Sequence, residues 1–135
     1  METSKGVPSP MLNQCKPSKF GSDVMEDSLF YRSVVGALQY ITLTRPDIAY
    51  FVNKACQVMT NPLDSHWSMV KRILRYLSGT STIGLLLSPA HPNQALSLRA
   101  YSDSNWANDP DDRRSTFSTC IFIGPNLAGI TARRT

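Results

Sequence analysis

The stretch from residue 96 to residue 118 constrains this chain most. Leu96-Ser97-Leu98-Arg99-Ala100-Tyr101-Ser102-Asp103 alternates apolar and polar residues, the period of a half-buried strand, and runs straight into Ser104-Asn105-Trp106-Ala107-Asn108-Asp109-Pro110-Asp111-Asp112-Arg113-Arg114-Ser115-Thr116. A carboxylate at the end of a half-buried strand loses hydration unless a cation or a donor compensates, so Asp103 points to a metal site. One carboxylate does not complete a hydrolytic centre. No glutamate follows Glu26 and no aspartate follows Asp112, so later elements supply no acidic partner.

A chain of 135 residues is long enough to bury a core, and 41% hydrophobic against 18% charged residues places it among globular rather than disordered sequences. Fourteen basic and ten acidic residues leave a formal charge of +4, a mild bias that permits contact with nucleic acid without requiring it. Cys15, Cys56 and Cys120 are odd in number and far apart, which suits a reducing compartment better than a disulfide or zinc framework. No run approaches the ~18 apolar residues of a membrane span, and the start lacks the apolar core of a signal peptide. The expectation is a soluble, intracellular protein with no membrane partner.

Residues 1–27 are rich in Ser, Pro, Lys and Gly and read as a flexible linker with no core of its own. Asp27 or Ser28 can cap a helix carrying Leu29, Phe30, Val34, Leu38 and Ile41. A second helix is expected from Thr44, with Pro46 in its first turn, Asp47 placed for a capping box, and an apolar stripe of Ile48, Phe51, Val52, Ala55, Cys56 and Met59. A third, capped by Asp64 or Ser65, presents Trp67, Val70, Ile73, Leu74 and Leu77 and ends at Gly79. The pattern then changes to strands at 83–88, 96–103, 116–123 and 127–131, the last three forming an antiparallel meander. The fold class is therefore α+β, with a linker over 1–27, a helical segment over 28–80 and a sheet over 81–135.

Several blocks together carry a resemblance. Tyr31-Arg32-Ser33-Val34-Val35-Gly36-Ala37-Leu38-Gln39-Tyr40, Leu43-Thr44-Arg45-Pro46-Asp47-Ile48 and His66-Trp67-Ser68-Met69-Val70-Lys71-Arg72-Ile73-Leu74-Arg75-Tyr76-Leu77-Ser78-Gly79-Thr80 stand in order. Tyr101-Ser102-Asp103, Trp106-Ala107 and Asp109-Pro110-Asp111-Asp112-Arg113-Arg114-Ser115-Thr116 follow. From about Pro10 onward the chain resembles Pol polyproteins of copia-type retrotransposons. The resemblance implies a truncated piece: the helical connection after the reverse transcriptase, then an incomplete ribonuclease H-like domain. It implies that Asp103 descends from the first catalytic, metal-binding aspartate of that domain, that Mg²⁺ or Mn²⁺ served the intact parent enzyme, and that an RNA/DNA hybrid was its partner. The remaining carboxylates of such a site are expected on later elements, so Asp103 is vestigial and no ion is held tightly here. Asn105 stands where an acidic residue is common, Asn108 where glycine is, Phe117-Ser118 where a small residue and glycine are, and Ala128-Gly129-Ile130-Thr131-Ala132 where tryptophan and serines are.

Other candidates have plainer readings. Asp109, Asp111 and Asp112 sit in a Pro-containing turn, where solvated carboxylates are ordinary. Lys71, Arg72 and Arg75 lie opposite the apolar stripe of the third helix, where they either meet phosphates or form a solvated face. Arg113 and Arg114 are candidates for the same role, unless Arg113 pairs with Asp111 or Asp112. His66 and His91 read as surface or cap residues, and Trp67, Trp106, Tyr76 and Tyr101 as packing residues. The reading is a Pol fragment, inactive alone, with a non-catalytic nucleic-acid-binding or interaction module as the alternative.

Overall fold

The computed structural model describes residues 5–11, 21–90, 92–93, 95–106 and 113–134, with the backbone alone for Arg134. Contacts divide the chain into two units, Met1–Ile83 and Gly84–Thr135.

The first unit is helical. Helix α1, Ser28–Ile41, begins where the Asp27 side chain accepts a hydrogen bond from the Phe30 amide at 2.8 Å, as the capping pattern predicts. A 3₁₀ turn, Pro46–Ile48, leads into α2, Ala49–Cys56, and α3 follows as Asp64–Gly79. The core is Tyr31, Val35 and Leu38 of α1, Ile48, Val52 and Ala55 of the turn and α2, Val58 beyond it, and Met69, Val70 and Ile73 of α3. Tyr31 is wholly buried, and its hydroxyl donates to the Ala55 carbonyl at 3.1 Å, which removes the cost of an unpaired phenol in an apolar interior. Burial holds that phenol in its neutral form, with an ionisation range well above that of free tyrosine.

The face of α1 differs from the one expected. Leu38 is buried and Val34 packs on the core as expected, but Leu29 is 76% exposed and Phe30 and Ile41 face out, while Tyr31 and Val35 turn inward. The second helix does not start with a cap from Thr44. Thr44 Oγ1 donates back to the Ile41 carbonyl, and Asp47 is taken by Arg45 rather than by a capping box. On α3 the buried positions are His66, Met69, Val70 and Ile73, with Trp67, Leu74 and Leu77 packed beside them.

Within residues 1–27, expected to lack any core, the described parts are tied to the helices. Pro10 is buried, Met11 and Met25 pack on the core, and Val24 bridges Leu63. The Met25 amide donates to the Pro62 carbonyl and the Asp64 amide to the Asp23 carbonyl, each at 3.0 Å. Gly6 lies against Gly79 so closely that a Cβ on Gly6 would stand 2.8 Å from the Gly79 Cα. Gly79 thus serves a backbone crossing at the end of α3.

The second unit is a three-stranded antiparallel sheet in the order β1-β2-β3, with β1 Leu98–Asn105, β2 Thr116–Ile123 and β3 Asn126–Arg134. The meander agrees with the sequence reading, with β3 running farther than expected. Gly124 and Pro125 form the loop between β2 and β3, and Gly124 takes φ +59°, the left-handed value that hairpin turns of the II′ kind place at their first loop position. No strand forms over 83–88. There the Ser88 backbone is bonded by a side chain instead: Asn126 Oδ1 accepts from its amide at 2.7 Å, and Asn126 Nδ2 donates to its carbonyl at 2.8 Å.

Every residue of β1 is exposed, so the half-buried strand read from its alternation is not what forms. The reason lies in layers: among the described residues this unit has no helix to cover a sheet face. Register and pleat put Leu98, Ala100, Phe117, Ile121 and Ile123 on one side and Tyr101, Asp103, Cys120 and Phe122 on the other.

Candidate functional site

Three places stand out, two of which hold residues singled out by sequence. The first is Asp103, near the end of β1 and opposite Ser118. Tyr101 and Asn105 flank it on its own face. Its carboxylate is exposed, so burial imposes no demand for a cation, and the desolvation argument for a metal there does not hold. Two-metal phosphodiester chemistry needs several converging carboxylates. Among the described residues no three of His, Cys, Asp and Glu come together as metal ligands. One carboxylate beside a hydroxyl and an amide does not fit such a centre. Asp109, Asp111, Asp112 and His91 lie outside the described residues.

Arg113 and Arg114 follow, exposed, in the connection that leads into β2; Arg113 takes φ +60°. Its proposed pairing with Asp111 or Asp112 falls outside the described residues. Trp106, expected to pack, is 86% exposed, whereas Tyr101 stacks edge-on against Phe122 with ring centres 6.0 Å apart.

The second place is the outer face of α3. Ser65, Ser68, Lys71, Arg72 and Arg75 line a groove of about 420 Å³, with Met11 and Met69 as its apolar members. Residues 65, 68, 72 and 75 recur at three and four positions, so helical geometry gathers them into one stripe. Among the described lining residues three are cationic and none is acidic. Arg75 is anchored at its Nε, which donates to the Lys5 carbonyl at 3.0 Å. Arg72 is half-buried, and its Nε is sealed from solvent with no acceptor among the described residues. Leaving a buried donor on a charged group unpaired costs on the order of 1–3 kcal/mol or more. The structure thus brings Lys71, Arg72 and Arg75 together.

The third place was missed in the sequence. Arg45 is only 6% exposed. It grips Asp47 with two hydrogen bonds, Nε to Oδ1 at 2.9 Å and Nη2 to Oδ2 at 2.8 Å. It also donates to Thr80, Nη1 to the carbonyl and Nη2 to Oγ1, both at 2.9 Å. Tyr76 completes the set: its hydroxyl donates to Asp47 Oδ2 at 2.8 Å and its ring lies 5.4 Å from the guanidinium. The hydrogen bonds from Arg45 hold the Asp47 carboxyl below the usual carboxylate range, and donation to Asp47 raises the Tyr76 phenol. Four of the five guanidinium N–H groups bond within this cluster, so the arrangement locks the 3₁₀ turn to the end of α3. The readable signal was a bidentate-capable pair two residues apart around Pro46.

His66 belongs to the scaffold as well. It is 2% exposed, and its Nδ1 accepts from the Leu63 amide at 3.0 Å, satisfying an N–H at the start of α3.

Retrovirus-related Pol polyproteins from two transposons of Arabidopsis thaliana, RE2 and RE1, are 43% and 44% identical over 124 residues, 92% of this chain. An uncharacterized mitochondrial protein of the same plant is 44% identical over 122 residues, 87% of this chain and 50% of that protein. The chain belongs to the family of copia-type retrotransposon Pol polyproteins. It spans 8% of the length of the two Arabidopsis polyproteins. No family model and no solved structure matches it. No described helix is long and apolar enough to cross a membrane.

Proposed function

We propose that this chain is a non-catalytic stretch of a Pol polyprotein. In it the helical unit is the connection that follows the reverse transcriptase, and the sheet is the opening meander of a ribonuclease H-like domain. The order of elements supports this: three helices come first, then an antiparallel meander with Asp103 on its first strand. In the parent polyprotein the helices would position an RNA/DNA hybrid, and Asp103 would belong to the set of carboxylates that binds Mg²⁺ or Mn²⁺.

The observation that carries the inactivity is an exposed Asp103 that belongs to no cluster of three metal-ligating side chains among the described residues. A lone hydrated carboxylate neither concentrates nor orients two divalent ions, so it activates no water against a phosphodiester. Incubating the purified chain with a labelled RNA/DNA hybrid and either ion is the direct check. No cleavage above a buffer blank is expected, for the wild type and for Asp103→Asn alike. Ion-dependent cleavage that disappears in Asp103→Asn would overturn the proposal.

A further inference from the structure

We propose that the outer edge of β1 is a self-pairing surface, along which a second copy of this chain adds its own β1 antiparallel, about a two-fold axis at Tyr101. Assembly and hybrid cleavage are separate measurements.

The edge is open. Among the described residues β1 pairs with β2 on one side only, and every residue of the strand is exposed. One hydrogen bond fixes which backbone groups face outward. The Gly124 amide donates to the Ser97 carbonyl at 2.7 Å, and these two positions continue the register that sets Leu98 against Ile123. Ladder bonds alternate along an antiparallel pair, so Arg99, Tyr101 and Asp103 turn their amides and carbonyls to β2, whereas Leu98, Ala100, Ser102 and Ser104 turn theirs to the open edge. No further strand takes them among the described residues, and no proline interrupts the row. Such a row is a template for a strand from another chain.

Charge selects a second copy as that strand. β1 carries two ionised side chains of opposite sign, Arg99 and Asp103, placed symmetrically about Tyr101. With Tyr101 opposite Tyr101, Arg99 of each copy stands directly opposite Asp103 of the other, in the non-hydrogen-bonded pairs where side chains come closest. Leu98 then exchanges backbone bonds with Ser104, and Ala100 with Ser102. Other registers fail: a slide of two residues sets Arg99 against Asn105 or Tyr101, a slide of four opposes like charges, and an odd slide sends the two side chains to opposite faces. Arg99 gives Nη2 to the Gly124 carbonyl at 3.1 Å, which leaves further N–H groups of its fork for a carboxylate. The other edge strand, β3, carries only basic charges, Arg133 and Arg134, and so repels its own copy. Pairing through one edge about a two-fold axis closes at a dimer.

Sedimentation velocity of the full chain, up to about 500 µM, reads the assembly. A monomer–dimer equilibrium with a Kd on the order of 10–100 µM is expected, because a single short strand edge makes a small interface. Arg99→Asp and Asp103→Arg each oppose like charges and should each raise that Kd at least about tenfold. An equimolar mixture of the two variants should dimerise as the wild type does, since both facing pairs are then opposite in sign. Circular dichroism checks that each variant folds. A second test leaves the charges untouched: Tyr101→Cys/Cys120→Ser should form an intermolecular 101–101 disulfide on oxidation, located by mass spectrometry, because facing Cα atoms there stand ~4.5 Å apart. Ser102→Cys/Cys120→Ser should form no 102–102 disulfide, its counterpart lying beyond the ~7 Å reach of the bond. A wild type that stays monomeric, association that persists in both charge variants as stacking of the apolar sheet faces would give, a mixture no more associated than its components, or no 101–101 disulfide would each overturn the proposal.

Discussion

Deleting Asp47 should damage the helical unit more than deleting Arg45, although they form one ion pair. The asymmetry follows from burial: the Arg45 side chain is 8% exposed and that of Asp47 37%. In Arg45→Met the long apolar stem is kept, Asp47 rehydrates and retains the Tyr76 hydroxyl, and the Thr80 carbonyl loses a donor. About 2 kcal/mol is expected for the lost bonds. In Asp47→Ala a guanidinium stays buried without its counter-ion, a situation that costs about 3–5 kcal/mol in typical buried pairs. Thr80 still accepts two of its hydrogen bonds, so the lower end, about 3 kcal/mol, applies here. The double variant should fall short of the sum, because each single change already breaks the shared pair.

Urea unfolding followed by far-UV circular dichroism reads the helical unit directly. A difference of about 1 kcal/mol displaces the midpoint by roughly 0.5–1 M at a slope of about 1–2 kcal/mol/M. Acid adds a second readout. Hydrogen bonds from Arg45 depress the Asp47 carboxyl in the fold, so its contribution is complete above about pH 4, near the unfolded value, and fades as pH falls through the lower folded value. That acid limb should vanish in Asp47→Ala. Equal or greater loss in Arg45→Met, or strict additivity, would refute the reasoning.

Two further substitutions probe the scaffold. His66→Ala should lower stability by about 1–2 kcal/mol in the same urea assay, because the Leu63 amide loses its acceptor inside the fold; His66→Asn, which keeps an acceptor, should recover part of it. Gly6→Ala should force the segment at residues 5–7 away from α3, since the new Cβ meets backbone at 2.8 Å, and trypsin should then cut after Lys5 faster than in the wild type.

Much of this architecture was legible because local signals agreed. Asp27 capped α1 as its side-chain chemistry required, and β2 occupied the expected residues 116–123. Faces were harder to read. On α1 the apolar residues at 29, 30, 34, 38 and 41 offered one stripe, of which only Leu38 is fully buried, and the buried face is completed by Tyr31, bonded to the Ala55 carbonyl, and Val35. Strand propensity at 83–88 was real, but propensity without a partner strand makes no ladder, and Leu86 and Leu87 remain exposed. The alternation of β1 described a face that this unit does not cover. At the candidate sites, the basic stripe of α3 could be foreseen from its spacing, whereas the unpaired Arg72 Nε depends on how surrounding side chains close over it. The clamp of Arg45 on Thr80 joins positions 35 residues apart, a distance that no local pattern spans.

The pairing of Asn126 with Ser88 makes the second unit sensitive to chemical ageing. A primary amide can present a donor and an acceptor side by side, which lets one side chain imitate a neighbouring strand for a single step. Spontaneous deamidation would replace the Nδ2 donor with a carboxylate oxygen facing the Ser88 carbonyl, two acceptors with no hydrogen between them. A mass gain of about one dalton, invisible to most assays, would then unhook residue 88 from the hairpin turn.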